Sequence, residues 1–444
     1  MLTPQKVNDQ VARRETSRRW VVVVLLLLSV CINYVDRGSL SVAAPVLKTE
    51  FSLSPQKLGY LLSAFFWSYT VCQLFVGWLV DRYNVKWIYT AGFVVWSLAM
   101  TGTGLVNGFA ALFGARLLLG IGESVFLPSA SRIMVGLFRP PERGLPNALV
   151  DVGTKVGPAL SMLIGGFVLA RYGWRALFIW IGVGSLLWLV PWMLYVPSIA
   201  VDRDPSEVRA PSPGPSYDQL LAGREVWGTS LGMFALGYVW IFLLTWLPDY
   251  LVSARGYSLQ QMAVLGSLPY WGMAIATLVG GWTSDFAISM GGSATVVRKT
   301  FVIVGLVLCA ALLLPVGFVA NPKVAIGFLI AACIALGLFT SNVWAITQVL
   351  AGADAAGRWT GIQNFVGNLG GVVSPIIAGV IVERTGSFFL AFVVAAVALA
   401  LGALSYLFLV PKVQEVVWVE RQPRQTSKLE TQGSKHIPNS NFTK

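Results

Sequence analysis

Gly77-Trp78-Leu79-Val80-Asp81-Arg82 closes one long apolar run, and Gly281-Trp282-Thr283-Ser284-Asp285 closes another in the second part of the chain. Each places glycine and tryptophan on the apolar side and an aspartate where polarity resumes. A second echo agrees: Tyr172-Gly173 precedes one apolar run as Thr385-Gly386 precedes another. The echoes match the second run with the eighth and the sixth with the twelfth. The chain therefore reads as two parallel sets of six.

A membrane-spanning helix needs about 20 mostly apolar residues. Such runs lie near 20–46, 56–80, 87–106, 110–137, 145–170 and 174–196, then near 226–253, 259–287, 300–319, 323–350, 359–382 and 387–410. Between the sets, Ala200 to Arg224 is polar and proline-rich, with Pro211-Ser212-Pro213-Gly214-Pro215, and reads as an exposed linker. The expected organisation is an all-α membrane protein: a tail over 1–19, a six-helix half over 20–196, a linker over 197–225, a second half over 226–410 and a tail over 411–444. Of 444 residues, 56% are hydrophobic and 12% charged, and mean hydropathy is +0.70. A soluble domain carries roughly 25% charged residues, so lipid is expected to cover most of this surface.

The net charge of +12 does not point to nucleic acid, because the basic residues lie between apolar runs and in the tails. Lys6, Arg13, Arg14, Arg18 and Arg19 precede the first run. Alternate loops carry Arg82 and Lys86, Arg139 and Arg143, Arg298 and Lys299, and Arg358. The opposite loops are poorer in Lys and Arg. Positive-inside then puts both termini and the linker in the cytoplasm. The first run, from Trp20, is too long for a signal h-region and is expected to act as the insertion signal. Cys31, Cys72, Cys309 and Cys333 all sit in apolar runs, which argues against a disulfide framework. The Asn441-Phe-Thr sequon falls in a tail placed in the cytoplasm and reads as chance. Six plus six helices around a central loop is the layout of a major facilitator transporter, with its substrate site between the halves at mid-membrane.

A charge at mid-bilayer costs roughly 2.5–3.5 kcal/mol on insertion scales, so such residues are functional candidates. Asp36 and Arg37 in helix one, Arg116 and Glu123 in helix four, and Asp151 and Lys155 in helix five all lie in the first half. The second half offers polar and aromatic groups instead, such as Tyr238, Trp344, Gln348, Gln363, Asn364 and Asn368. Arg116 and Glu123, seven apart, share a face, as a direct pair or as separate contacts into one cavity. Asp151 and Lys155, four apart, can pair along their helix. The alternative for both is that the charges neutralise each other and only lock helices together. Adjacent Asp36 and Arg37 must point different ways, one into the cavity and one toward a neighbouring helix.

Proton coupling needs a group that titrates near physiological pH. His436 lies in the tail, which leaves Asp36, Glu123 and Asp151. Burial raises a carboxyl pKa and a nearby arginine lowers it. A carboxyl that gains and loses an arginine partner can therefore bind and release a proton in each cycle, and the freed arginine can take a substrate carboxylate. Asp81 and Arg82 read as a gating element at a helix end, and Pro141-Glu142-Arg143-Gly144 as a similar one. Ordinary topogenic charge is the alternative. Trp67, Tyr69, Trp240, Trp246, Trp271 and Trp282 are, by type, interface anchors or packing residues. Gly153 and Gly157 flank Lys155 and allow close helix approach.

These motifs carry a resemblance. Asn33-Tyr34-Val35-Asp36-Arg37, Ser63-Ala64-Phe65-Phe66-Trp67-Ser68-Tyr69, Arg116-Leu-Leu-Leu-Gly-Ile-Gly-Glu123 with Pro128, Glu142-Arg143-Gly144 and Asn364-Phe365-Val366-Gly367-Asn368-Leu369 resemble the anion:cation symporter family of the major facilitator superfamily, over about residues 20–410. Bacterial members import galactonate, glucarate and hexuronates with protons, and animal relatives include vesicular glutamate and sialic acid transporters. The resemblance implies substrate contacts at Tyr34, Arg37 and Tyr69, and a carboxylate-linked arginine at Arg116. It implies a protonated pair at Asp36 and Glu123, and hydroxyl-reading positions at Ser341, Trp344 and Asn364. Where galactonate-type members place a glutamine, this chain has Thr154, followed by Lys155. The extra cation suggests a second or differently placed acidic group on the substrate. Hexuronates, aldarates and a small carboxylate other than a sugar acid all stay open. The short loop between helices one and two favours a bacterial inner-membrane protein.

The expected function is proton-coupled uptake of a small organic anion, most simply a sugar acid, by a monomer in the lipid bilayer with no cofactor, metal or nucleic-acid partner. The nearest rival is the same fold exchanging or exporting a carboxylate without proton coupling. A membrane-embedded enzyme would need a catalytic constellation that one tail histidine does not supply. A receptor would want an appended signalling domain, for which the tail after Val410 is short.

Overall fold

The computed structural model describes residues 4–138, 144–196 and 215–418, with the side chains of 4–17 and of Leu74, Asp81, Leu145, Ala148, Ala353 and Asp354 outside that description. Among the described residues there are helices and no strands. Ten stretches are long and apolar enough to cross a membrane. One of them, Leu149–Tyr195, turns back at Gly173 and crosses twice. Val85–Thr103 adds a further crossing. The twelve crossings are α1 (Pro4–Glu50), α2 (Pro55–Arg82), α3 (Val85–Thr103), α4 (Phe109–Leu137), α5 (144–172) and α6 (174–195). They continue as α7 (Arg224–Ala254), α8 (Leu259–Ser289), α9 (Ala294–Val316), α10 (Pro322–Gly352), α11 (Ala355–Thr385) and α12 (Phe389–Phe408).

The helices run past the apolar windows that locate them. α1 continues to Glu50, and α9 starts at Ala294 where the apolar run starts near 300. Hydropathy marks only the hydrocarbon layer, whereas helices continue into the interface. Polar first turns survive there because they find partners. In α9, Lys299 Nζ donates to Val410 O at 2.6 Å, and Arg298 meets Asp285 at 3.6 Å. Part of the linker is also helical: Tyr217–Ala222 is closed by a capping box between Ser216 and Gln219. Residues 197–214 lie outside the described residues.

The two glycines of the second echo sit where the backbone requires them. Gly173 has φ 80° and Gly386 has φ 65°. A side chain at such a φ meets the following carbonyl, so glycine is the residue that turns the chain there at little cost. A further internal symmetry was invisible in the sequence. Lys86 of α3 donates to Met193 O and Val196 O, at 3.0 and 2.8 Å, and so caps α6. Lys299 of α9 caps α12 in the same way. Each ammonium satisfies C-terminal carbonyls and meets the negative end of the helix dipole.

Helices α1 to α6 pack among themselves, as do α7 to α12. The two sets meet at the end of the bundle away from the chain termini. There α2 and α11 approach backbone to backbone: a Cβ at Gly59 would lie 2.5 Å from Pro375 O, and one at Gly379 would lie 2.6 Å from Pro55 O. Gln56 N donates to Glu383 Oε2 at 2.8 Å, and Ser63 Oγ to Val372 O at 2.7 Å. α5 meets α8 through Gly166 and Ala263, and through Met162 and Gly266. Small residues let helices close without a side chain between them. A deeper contact joins Asn364 Nδ2 to Gln73 Oε1 at 3.3 Å.

Candidate functional site

The charged residues of α1 and α4 converge because glycines let α4 press between its neighbours. A Cβ at Gly120 would run into Phe65 O and Ser68 Oγ of α2, and one at Gly122 into the backbone of Trp96 in α3. α4 is also interrupted at Ser124 and Val125, directly after Glu123. Such irregularities recur at functional sites.

Arg37 Nε donates to Glu123 Oε2 at 2.8 Å, and their side chains are 7% and 0% exposed. The guanidinium lies over three rings, with its carbon 4.8 Å from Tyr34, 4.7 Å from Phe65 and 4.5 Å from Tyr69. Such cation–π contacts strengthen when water is excluded. Arg116 Nη1 donates to Asp36 O at 3.4 Å, and its guanidinium faces Phe178 at 5.4 Å. Asp36 is fully buried, and neither of its carboxyl oxygens has a hydrogen-bond partner among the described residues. The same holds for Glu123 Oε1 and for Arg116 Nε and Nη2. Arg37 and Arg116 line one small cavity together with Leu244 and Thr245 of α7, so it lies between the two sets of helices. It has room for about one water molecule.

The structure therefore gathers Tyr34, Asp36, Arg37, Tyr69, Arg116 and Glu123. The seven-residue spacing left open a direct Arg116–Glu123 pair. Glu123 instead pairs with Arg37, from another helix. Asp151 and Lys155 form their own unit on α5, with Nζ to Oδ2 at 2.5 Å, and Thr154 Oγ1 bonds back to Asp151 O at 2.7 Å. Gly153 and Gly157 face α1, where a Cβ at Gly157 would lie 2.5 Å from Tyr34 Cβ. Lys155, midway between them, is on the other side of α5. Met162, one heptad further on, meets α8. The Asp151 side chain is 48% exposed.

In the second set, Ser341 Oγ bonds to Leu338 O at 2.7 Å and faces Gly280 of α8. Trp344 is half-buried against the core, and Asn364 reaches Gln73. Arg82 is exposed, its guanidinium 4.4 Å from the Trp78 ring. Arg143 and the side chain of Asp81 lie outside the described residues. No His, Cys, Asp and Glu group among the described residues has metal-binding geometry.

Sequence reasoning confined mid-membrane charge to the first set; a buried charge of the second set lies instead near a helix end. Asp249 of α7 is fully buried, 3.2 Å from Lys48 Nζ of α1, and accepts from Ser253 Oγ at 2.7 Å. Both partners lie at the ends of apolar runs, so each reads as a loop charge until the tertiary fold joins them. Phe65 and Phe178 were missed too, since an apolar ring in an apolar helix gives no signal of its own.

Comparison with known proteins agrees with this architecture. The model described as Major Facilitator Superfamily matches residues 26–375. The chain is 30% identical over 437 residues to the probable galactarate/D-glucarate transporter GudP of Bacillus subtilis (strain 168), covering 91% of this chain and 95% of that one. It is 30% identical over 426 residues to the D-galactonate transporter of Escherichia coli O6:H1, covering 91% and 98%. A solved bacterial homologue of the human lysosomal transporter Spinster, inward-facing and occupied, shares the fold with a TM-score of 0.73 at 19% identity, covering 89% and 97%.

Proposed function

Because this chain belongs to the Major Facilitator Superfamily, a family of membrane transporters and not of enzymes, we propose that it is a secondary active transporter that takes up a sugar acid with protons. One observation carries the reading: Arg37 and Arg116 line a cavity between the two sets of helices, backed by the buried carboxyls of Asp36 and Glu123. Buried polar groups without partners are costly unless something completes them. A carboxylate guest would complete Arg116, and a proton would complete the carboxyls. Relatives named for galactarate, D-glucarate and D-galactonate support the substrate class.

In this reading Arg37 leaves Glu123 when Glu123 takes a proton, and the freed guanidinium holds the substrate carboxylate with Arg116. Tyr34 and Tyr69 line the anion, and Asp36 shares the proton work with Glu123. Ser341, Trp344 and Asn364 read hydroxyls from the opposite half. Lys155 and Thr154 of α5 select the far end of the substrate, with Asp151 holding Lys155 until the substrate arrives. Asp81, Arg82 and Arg143 gate the end that carries the termini, which lies in the cytoplasm of a bacterial inner membrane. The chain works as a monomer whose halves alternate about the central site.

The test is uptake into proteoliposomes under an imposed pH gradient, with D-galactonate, D-glucarate and D-glucuronate as substrates. Wild type accumulates at least one of them only with the gradient. Glu123→Gln abolishes accumulation and keeps exchange of substrate across the membrane. Gradient-driven accumulation that survives unchanged in Glu123→Gln removes Glu123 from the coupling role.

A further inference from the structure

The rings around Arg37 are not equivalent. Tyr34 and Tyr69 carry hydroxyls that can meet a guest. Phe65 has none, and it is 4% exposed. Its ring lies 4.7 Å from the Arg37 guanidinium carbon and stacks on Tyr69, with centroids 5.1 Å and planes 25° apart. Its own backbone is fixed, because its carbonyl packs on Gly120 of α4, three residues before Glu123. On another side it meets Phe66 edge to face, at 4.9 Å and 88°. Phe66 reaches into the second half, where a Cβ at Gly371 of α11 would lie 3.3 Å from Phe66 Cδ1. Both phenylalanines line the same cavity as both arginines.

We infer that Phe65 is a positioning residue that holds the Arg37 guanidinium against Glu123 and, through Phe66 seated on Gly371, ties that setting to the contact between α2 and α11. This rests on the reading of Arg37 as the cation that takes the substrate anion. The guanidinium is flat and weakly hydrated, so a ring face restrains it as a hydrogen bond alone does not. Arginine otherwise keeps much of its rotamer freedom. When α2 and α11 part, Phe66 loses its wall and Phe65 loses its support. Arg37 is therefore held most firmly when the far end of the bundle is closed.

A substrate-free experiment decides it. Unfolding temperatures in detergent are measured for wild type, Phe65→Leu, Glu123→Gln and the double variant. If Phe65 acts through the Arg37–Glu123 contact, the two losses are strongly non-additive. Phe65→Tyr, which keeps the ring, preserves the wild-type behaviour. Additive losses make Phe65 ordinary packing and overturn the inference. Uptake of D-galactonate, D-glucarate and D-glucuronate supplies the second arm. Phe65→Leu weakens the Glu123-paired setting that the anion must displace, so it lowers KM about tenfold and changes the maximal rate less than about twofold. A fall in maximal rate at unchanged KM contradicts the inference. If wild type takes up none of the three, the sugar-acid reading fails, and the stability cycle still decides the role of Phe65.

Discussion

Arg37 and Arg116 are long cations on adjacent helices, yet they are held in different ways. Arg37 is paired and caged by rings, while Arg116 keeps two nitrogens without hydrogen bonds among the described residues. Arg37→Lys keeps the charge and loses the flat face, so KM for the anion should rise tenfold or more in uptake assays, by about 1.4 kcal/mol or above. Lys48→Ala leaves Asp249 buried without its cation. Unfolding temperature should fall by the equivalent of about 3 kcal/mol, and adding Asp249→Asn should recover most of it. At this scale the sequence was partly legible. The cost of burying charge singled out Asp36, Arg37, Arg116 and Glu123 as candidates. Spacing along one helix could not tell that Glu123 would find Arg37 on another, nor that Lys48 and Asp249 would meet.

The elements were legible in number more than in extent. Apolar length counts crossings, and two glycine echoes marked α6 and α12. Helix ends escaped, because they are settled by capping contacts such as Lys86 on α6 and Lys299 on α12. Two glycines of the first six helices make a sharp comparison. Gly173→Ala forces a side chain into a left-handed turn and should cost about 1–2 kcal/mol in thermal unfolding. Gly184 has ordinary helical geometry and open space around it. Gly184→Ala should therefore be neutral or raise stability by up to about 1 kcal/mol.

For the whole molecule, the two sets of helices touch along α2–α11, α5–α8 and α1–α7 toward one end. The α2–α11 contact is largely bare backbone, as at Gly59 and Gly379. Gly59→Val should push these helices apart and shift the population toward a state open at that end. A cysteine placed at Ser63, now buried against Val372 O, should then react several-fold faster with an impermeant maleimide added from that side, in a background lacking the native cysteines. Unchanged labelling would mean that the seam does not hold the end shut. A joint made of uncovered main chain tolerates no filler, so one added methyl can act as a doorstop. Wedged variants of this kind would hold the far vestibule ajar without any inhibitor, and they offer a chemical handle on half of the transport cycle.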